Sequence, residues 1–185
     1  MAYENQPRAE FPVTVTKDEY VRAALLAARW TGALRPAPAV VVAAALVLLL
    51  GAFSFGWTGV PVSVSIFFCA LCPLILLVFF VAEPAAVRRQ AGRDYQTYAA
   101  LLCPARLRLY PDNVVTAAPT LTLTDSFALM PALVETPELL VFLKDRERFL
   151  VLPKHCIPED RRDETLEQIR LIFVRRRHRM RGWMF

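Results

Sequence analysis

Apolar and polar positions keep different rhythms along this chain, and the longest stretch keeps no polar rhythm at all. Between Arg35 and Glu83 there is no charged residue. Two apolar runs, Ala39 to Trp57 and Val60 to Ala82, fill that interval and are separated by Thr58-Gly59. A bilayer core is about 30 Å thick, and a helix needs about 20 apolar residues to cross it. The pattern therefore predicts a two-helix transmembrane hairpin over residues 36–82. Small residues four apart (Ala39/Ala43, Ala52/Gly56, Ser65/Cys69) would let the two helices approach closely. Pro73 is expected to kink the second helix.

The flanks carry shorter periods. Phe11, Val13 and Val15 alternate with polar residues as in a strand. Thr16-Lys17-Asp18-Glu19 matches a capping box and opens a helix carrying Tyr20, Ala23, Leu25 and Ala27 and ending near Trp30. After the apolar interval, Glu83 to Leu102 reads as a helix that Pro104 ends. Period two then takes over in Arg106 to Tyr110, Val114 to Ala117, Thr120 to Thr124 and Ala128 to Glu135. Leu139 to Leu143 and Phe149 to Leu152 flank the charged turn Lys144 to Arg148 and, as the most apolar strands, are placed centrally. A last helix opens at Pro158 and carries Leu166, Ile169, Ile172 and Phe173 as a stripe for covering a sheet.

The predicted fold class is thus an α+β membrane protein: a transmembrane hairpin plus a cytoplasmic antiparallel-sheet domain closed by a C-terminal helix. Its parts are a cytoplasmic strand and helix (1–35), the hairpin (36–82), the cytoplasmic domain (83–175) and a basic tail (176–185). The N-terminal strand and the later strands are expected to form one sheet interrupted by the hairpin.

Charge gives the hairpin a direction. Arg29 and Arg35 precede it, Arg88, Arg89 and Arg93 follow it, and the connecting turn has no charge. The positive-inside rule then puts both termini in the cytoplasm, in a two-pass protein of the bacterial inner membrane. Absence of ionisable residues inside the runs favours an anchor over a transport path. The first run begins too far from the N-terminus, behind too polar a segment, for a secretory signal peptide.

Candidate chemistry changes this picture little. Cys69 and Cys72 form a C-x-x-C inside the second apolar run, with no histidine or carboxylate beside them, so they read as packing residues. Cys103 and Cys156 read as free thiols. His155 and Cys156 are adjacent at a strand end, where neighbours point to opposite faces, so no His–Cys dyad is expected. His178 lies in an arginine run. Glu135, Glu138, Asp145 and Glu147 read as solvated strand-end and turn residues. No catalytic residue, metal site or cofactor is expected, and the chain is read as a non-enzyme.

The 185-residue chain has a net charge of +5, concentrated at its end in Arg175, Arg176, Arg177, Arg179 and Arg181, followed by Trp183. These six residues are the candidates for binding anionic lipid headgroups at a membrane surface. A frayed helix end is the plain alternative, and nucleic acid is disfavoured.

The order of these pieces resembles the YcxB-like family of bacterial membrane proteins, in its C-terminal domain. The residues that carry the resemblance are Phe11 to Thr16 with Asp18 and Tyr20, the hairpin, Arg93 and Tyr95, and Leu109-Tyr110-Pro111-Asp112. Val134-Glu135-Thr136, Phe142-Leu143 and Leu152-Pro153-Lys154 complete it. Phe127 stands where the family usually shows a tryptophan. The resemblance implies a pleckstrin-homology-like fold, with a bent antiparallel sheet closed by a C-terminal helix, and no catalytic residues. The expected function is a membrane-tethered module for protein interaction or scaffolding, with anionic-lipid sensing through the arginine cluster as the alternative. Expected partners are the bilayer, an unidentified protein and a second copy of the chain.

Overall fold

In the computed structural model, residues 6–34, 38–54, 61–77, 81–144 and 148–179 are described. The chain divides into two compact units, one made of residues 1–27 with 89–185 and the other of residues 28–88.

The first unit is α+β. Strand β1 (Ala9–Val13) is followed by helix α1 (Lys17–Trp30) and, far along the chain, by α4 (Glu83–Leu102). Strands β2 (Ala105–Leu109), β3 (Asn113–Ala117) and β4 (Thr122–Ser126) then run as a meander. β1 pairs antiparallel with β2, Phe11 opposite Leu107, so the first sheet has the order β1-β2-β3-β4. The strand before the apolar interval does pair with β2 after it, although β5 to β8 form a separate sheet. Ala9, Phe11, Val13 and Val15 turn inward from the first segment, Ala105, Leu107 and Leu109 from β2.

The second sheet contains β5 (Ala132–Glu135), β6 (Leu139–Leu143), β7 (Phe149–Pro153) and β8 (Arg177–Arg179), in the order β7-β6-β5-β8. β5, β6 and β7 are antiparallel neighbours, whereas β8 lies parallel to β5. Helix α5 (Arg162–Ile172) precedes β8 and buries Leu166 and Ile169, with Phe173 at its end. A single antiparallel sheet was expected; there are two, one of them mixed. The chain turns out of β4 through a 3-10 turn at Phe127–Leu129, which separates the sheets. The residue that occupies the tryptophan position, Phe127, is buried there between Phe142 and Phe173, ring centroids 6.2 and 5.6 Å away.

The second unit corrects the reading of the apolar interval. Helices α2 (Pro38–Ser54) and α3 (Val62–Leu77) have 17 and 16 residues and pack against each other. At 1.5 Å per residue they reach about 25 and 24 Å, short of a bilayer core of about 30 Å. Among the described residues no helix is long and apolar enough to cross a membrane. The transmembrane hairpin, the membrane fold class and the two-pass inner-membrane location with cytoplasmic termini are therefore not supported. Apolar content alone extended the expected spans over residues 55–60 and 78–80, which lie outside the described residues, as does Arg35. Pro73 sits inside α3. Of the small residues expected at the helix contact, Ala52 is exposed, and Gly56 and the side chains of Ala39, Ala43, Ser65 and Cys69 lie outside the described ones; Ala44 and Gly51 of α2 are buried.

Candidate functional site

Thr16 and Glu19 close the start of α1 as a capping box. The Thr16 N–H and hydroxyl donate to Glu19 Oε2 at 2.8 and 2.9 Å, and the Glu19 N–H donates back to Thr16 Oγ1 at 3.3 Å. This satisfies helix donors that have no intrahelical partner. At the other end, Gly32 takes a positive φ of 80° and its N–H donates to the Arg29 carbonyl, which ends the helix.

One turn into α1, Tyr20 meets Tyr98 of α4, Tyr95 of α4 and Phe149 of β7, with centroids 4.8, 5.8 and 5.3 Å away. The Tyr95 hydroxyl donates to the Val15 carbonyl at 2.9 Å. Burial, and after it the neighbouring Cys103, Tyr20, Tyr95 and Cys156, pushes the Tyr98 phenol up, so it stays neutral at physiological pH. Aromatic packing thus holds the start of α1 against the start of β7.

The other end of β7 overturns the reading of His155 and Cys156. β7 stops at Pro153, and Lys154–Cys156 wind into a 3-10 turn, so the alternation of a strand no longer applies. Cys156 Sγ lies 3.5 Å from His155 Nε2, and His155 Nδ1 lies 3.3 Å from Glu19 Oε1. The thiol also faces the Thr14 carbonyl at 3.5 Å. Residues far apart in sequence, from the capping box and from the end of β7, form one Cys–His–Glu line. A proline at a strand end was the signal that the alternation would break there.

Glu135 corrects a second expectation. It is not solvated but 3% exposed, at the end of an inner strand. Its carboxylate accepts from Lys154 Nζ at 2.9 Å and from Arg170 Nη2 and Nε at 2.5 and 3.2 Å, with Arg177 Nη1 at 3.9 Å. Burial pushes the carboxyl pKa up, but the hydrogen bonds and charges of Arg170 and Lys154 outweigh it and hold it at about 2. The cluster ties β5 to the end of β7, to α5 and to β8. Its sequence signal was a carboxylate closing the apolar run Ala132-Leu133-Val134 just before another apolar strand.

The arginine tail does not act as one patch. Arg176 Nη1 donates to the carbonyls of Phe127, Ala128 and Met130 at 3.3, 3.4 and 2.9 Å, and its guanidinium stands 5.4 Å from the Phe173 ring centroid. Arg177 is turned toward Glu135. Arg175 and Arg179 are exposed, and Arg181 and Trp183 lie outside the described residues. The tail is in part an edge strand and in part a plug for carbonyls at the 3-10 turn.

In the helical unit the picture is reversed. Leu49, Phe53, Val62 and Phe67 on α2 and α3 are 64%, 66%, 63% and 63% exposed, and Leu46, Leu50, Ile66 and Leu74 are exposed with them. No polar group interrupts this surface on α2 before Ser54. Cys69 and Cys72 are both within α3. Among the described residues, no group of three His, Cys, Asp or Glu side chains is placed to hold a metal.

Comparison with known proteins places the chain beside none of them. No family model, no curated protein and no solved structure matches it.

Proposed function

We propose that the protein is a non-enzymatic interaction module in which an α+β unit carries an apolar helix pair to be covered by a partner protein. The observation that carries this reading is the exposed apolar surface of α2 and α3. Exposed contiguous apolar patches beyond a few hundred Å² mark interaction surfaces on water-soluble units. A helix that is apolar on every side is ordinarily buried. The partner that fits is a helix with an apolar face, since exposed Leu and Phe side chains on two packed helices offer apolar contact and no hydrogen-bonding strand edge. In the chain the helix pair lies between β1 and β2, two strands that are neighbours in one sheet.

A photo-crosslinking amino acid at Leu49 or Phe67, and at exposed Leu171 of α5 as control, tests the proposal in intact cells. Adducts at Leu49 and Phe67 that map to apolar helical segments of one protein are expected, with few at Leu171. Equal capture at all three positions, or capture of polar segments, would overturn it.

A further inference from the structure

We propose that Cys156 is a nucleophilic thiol poised to react with small hydroperoxides, with His155 as its base and Glu19 as the residue that positions the base. The inference does not depend on the proposed partner.

A reactive nucleophile needs a base within hydrogen-bond reach, and the base in turn needs a third group that sets its orientation and tautomer. Both conditions are met. The Glu19 carboxylate, 3.3 Å from His155 Nδ1, favours the tautomer protonated at Nδ1 and leaves the Nε2 lone pair toward the sulfur at 3.5 Å. Glu19 is itself held by the Thr16 hydroxyl and N–H through its other oxygen, so the capping box doubles as the support of the line. His155 is largely exposed, whereas the Glu19 side chain is 15% exposed, so the orienting group is the better sheltered of the two. Cys156 is part-exposed, which gives a small reagent access to the sulfur. Beside His155 opens a cleft of about 460 Å³ bordered by Glu19, Glu138, Lys154 and Arg162. Pro137 and Leu166 also line it, and the four charged side chains on its rim suit a small polar reagent.

In the reaction, Nε2 takes the thiol proton as the sulfur attacks the terminal oxygen of the hydroperoxide. An S–O bond forms and the O–O bond breaks. The departing alkoxide or hydroxide takes the proton from the imidazolium and leaves as alcohol or water. Sulfur is oxidised by two electrons to the sulfenic acid and the peroxide is reduced by two. The product persists until a thiol reduces it, so this is a modification site and needs no turnover.

Cys103 serves as the internal reference, being free and part-exposed in the same unit. The full chain is treated with hydrogen peroxide and dimedone, or with iodoacetamide, and labelling of each cysteine-containing peptide is followed by mass spectrometry. General-base assistance predicts that Cys156 reacts at least about tenfold faster than Cys103 with both reagents. His155→Gln is expected to bring the ratio close to one while leaving the Cys103 rate unchanged. Glu19→Gln, which can still cap the helix, is expected to lower the ratio by a smaller factor. A general loosening of the fold would move both cysteines together. Equal rates in the unsubstituted chain, or a ratio that ignores His155→Gln, would sink the proposal. A preference seen with iodoacetamide and not with peroxide would overturn the hydroperoxide assignment.

Discussion

The two units use the same apolar residues in opposite ways. In the α+β unit Phe142, Leu143 and Leu152 are wholly buried. In the helical unit Leu49, Phe53 and Phe67 show about two-thirds of their surface. β5, β6 and β7 bury side chains on both faces, and Phe127 and Phe173 pack on Phe142 of β6 as a second layer. Two helices cannot do this for each other, since each presents only one stripe to its neighbour. High hydrophobicity therefore does not say where a segment ends up; the presence of a second layer does.

The largest way to test the contrast is in the aromatic core. Phe142 touches Phe127 and Phe173, with ring centroids 6.2 and 5.7 Å away. Phe142→Ala is expected to destabilise the α+β unit by about 3–5 kcal/mol, through lost burial and the cavity left behind. Hydrogen exchange of the β6 amides under mild urea would report it. A loss below about 1 kcal/mol would mean that this core is not closed.

Next in size is Glu135. Its folded pKa of about 2 lies below its ordinary 4.5, so its stabilisation is fully present above pH 4.5 and is lost as the pH falls toward 2. Glu135→Gln leaves Lys154 and Arg170 beside an uncharged partner and is expected to cost about 3 kcal/mol at neutral pH. Urea unfolding at a series of pH values should show the two proteins converging between pH 4.5 and 2. A gap that is independent of pH would assign the effect to packing.

What the sequence showed of this molecule follows the same division. Alternation in Phe11-Val13-Val15 and in Leu107-Leu109 depends only on neighbours along one strand, so those faces were legible. So was the Thr16–Glu19 box, a local motif that formed as read. The role of Arg176 was not legible, because it depends on carbonyls of residues 127–130 that only the folded chain brings near. Glu135 and the line through His155 depend likewise on partners more than fifteen residues away, Lys154 and Arg170 for the one and Glu19 for the other. The apolar interval misled for a different reason. Hydropathy counts residues, whereas a crossing depends on helical length, and the described residues of α2 and α3 number 17 and 16.

The smallest expected effect bears most directly on the contrast. Leu49 is 64% exposed, so Leu49→Ala removes few contacts in the isolated chain and is expected to change its stability by no more than about 0.5 kcal/mol. The same truncation takes away part of the surface offered to a partner, and there its cost belongs to binding. Buried apolar area contributes about 25 cal/mol per Å² removed from water, so one leucine at the centre of such a contact is worth about 2 kcal/mol. Thermal unfolding of the purified chain, set beside the yield of Phe67-centred crosslinks in cells, separates the two. A stability loss above about 2 kcal/mol would place Leu49 in a core like that of Phe142. The contrast between the units would then be gone, and with it the reason to expect a partner on that face.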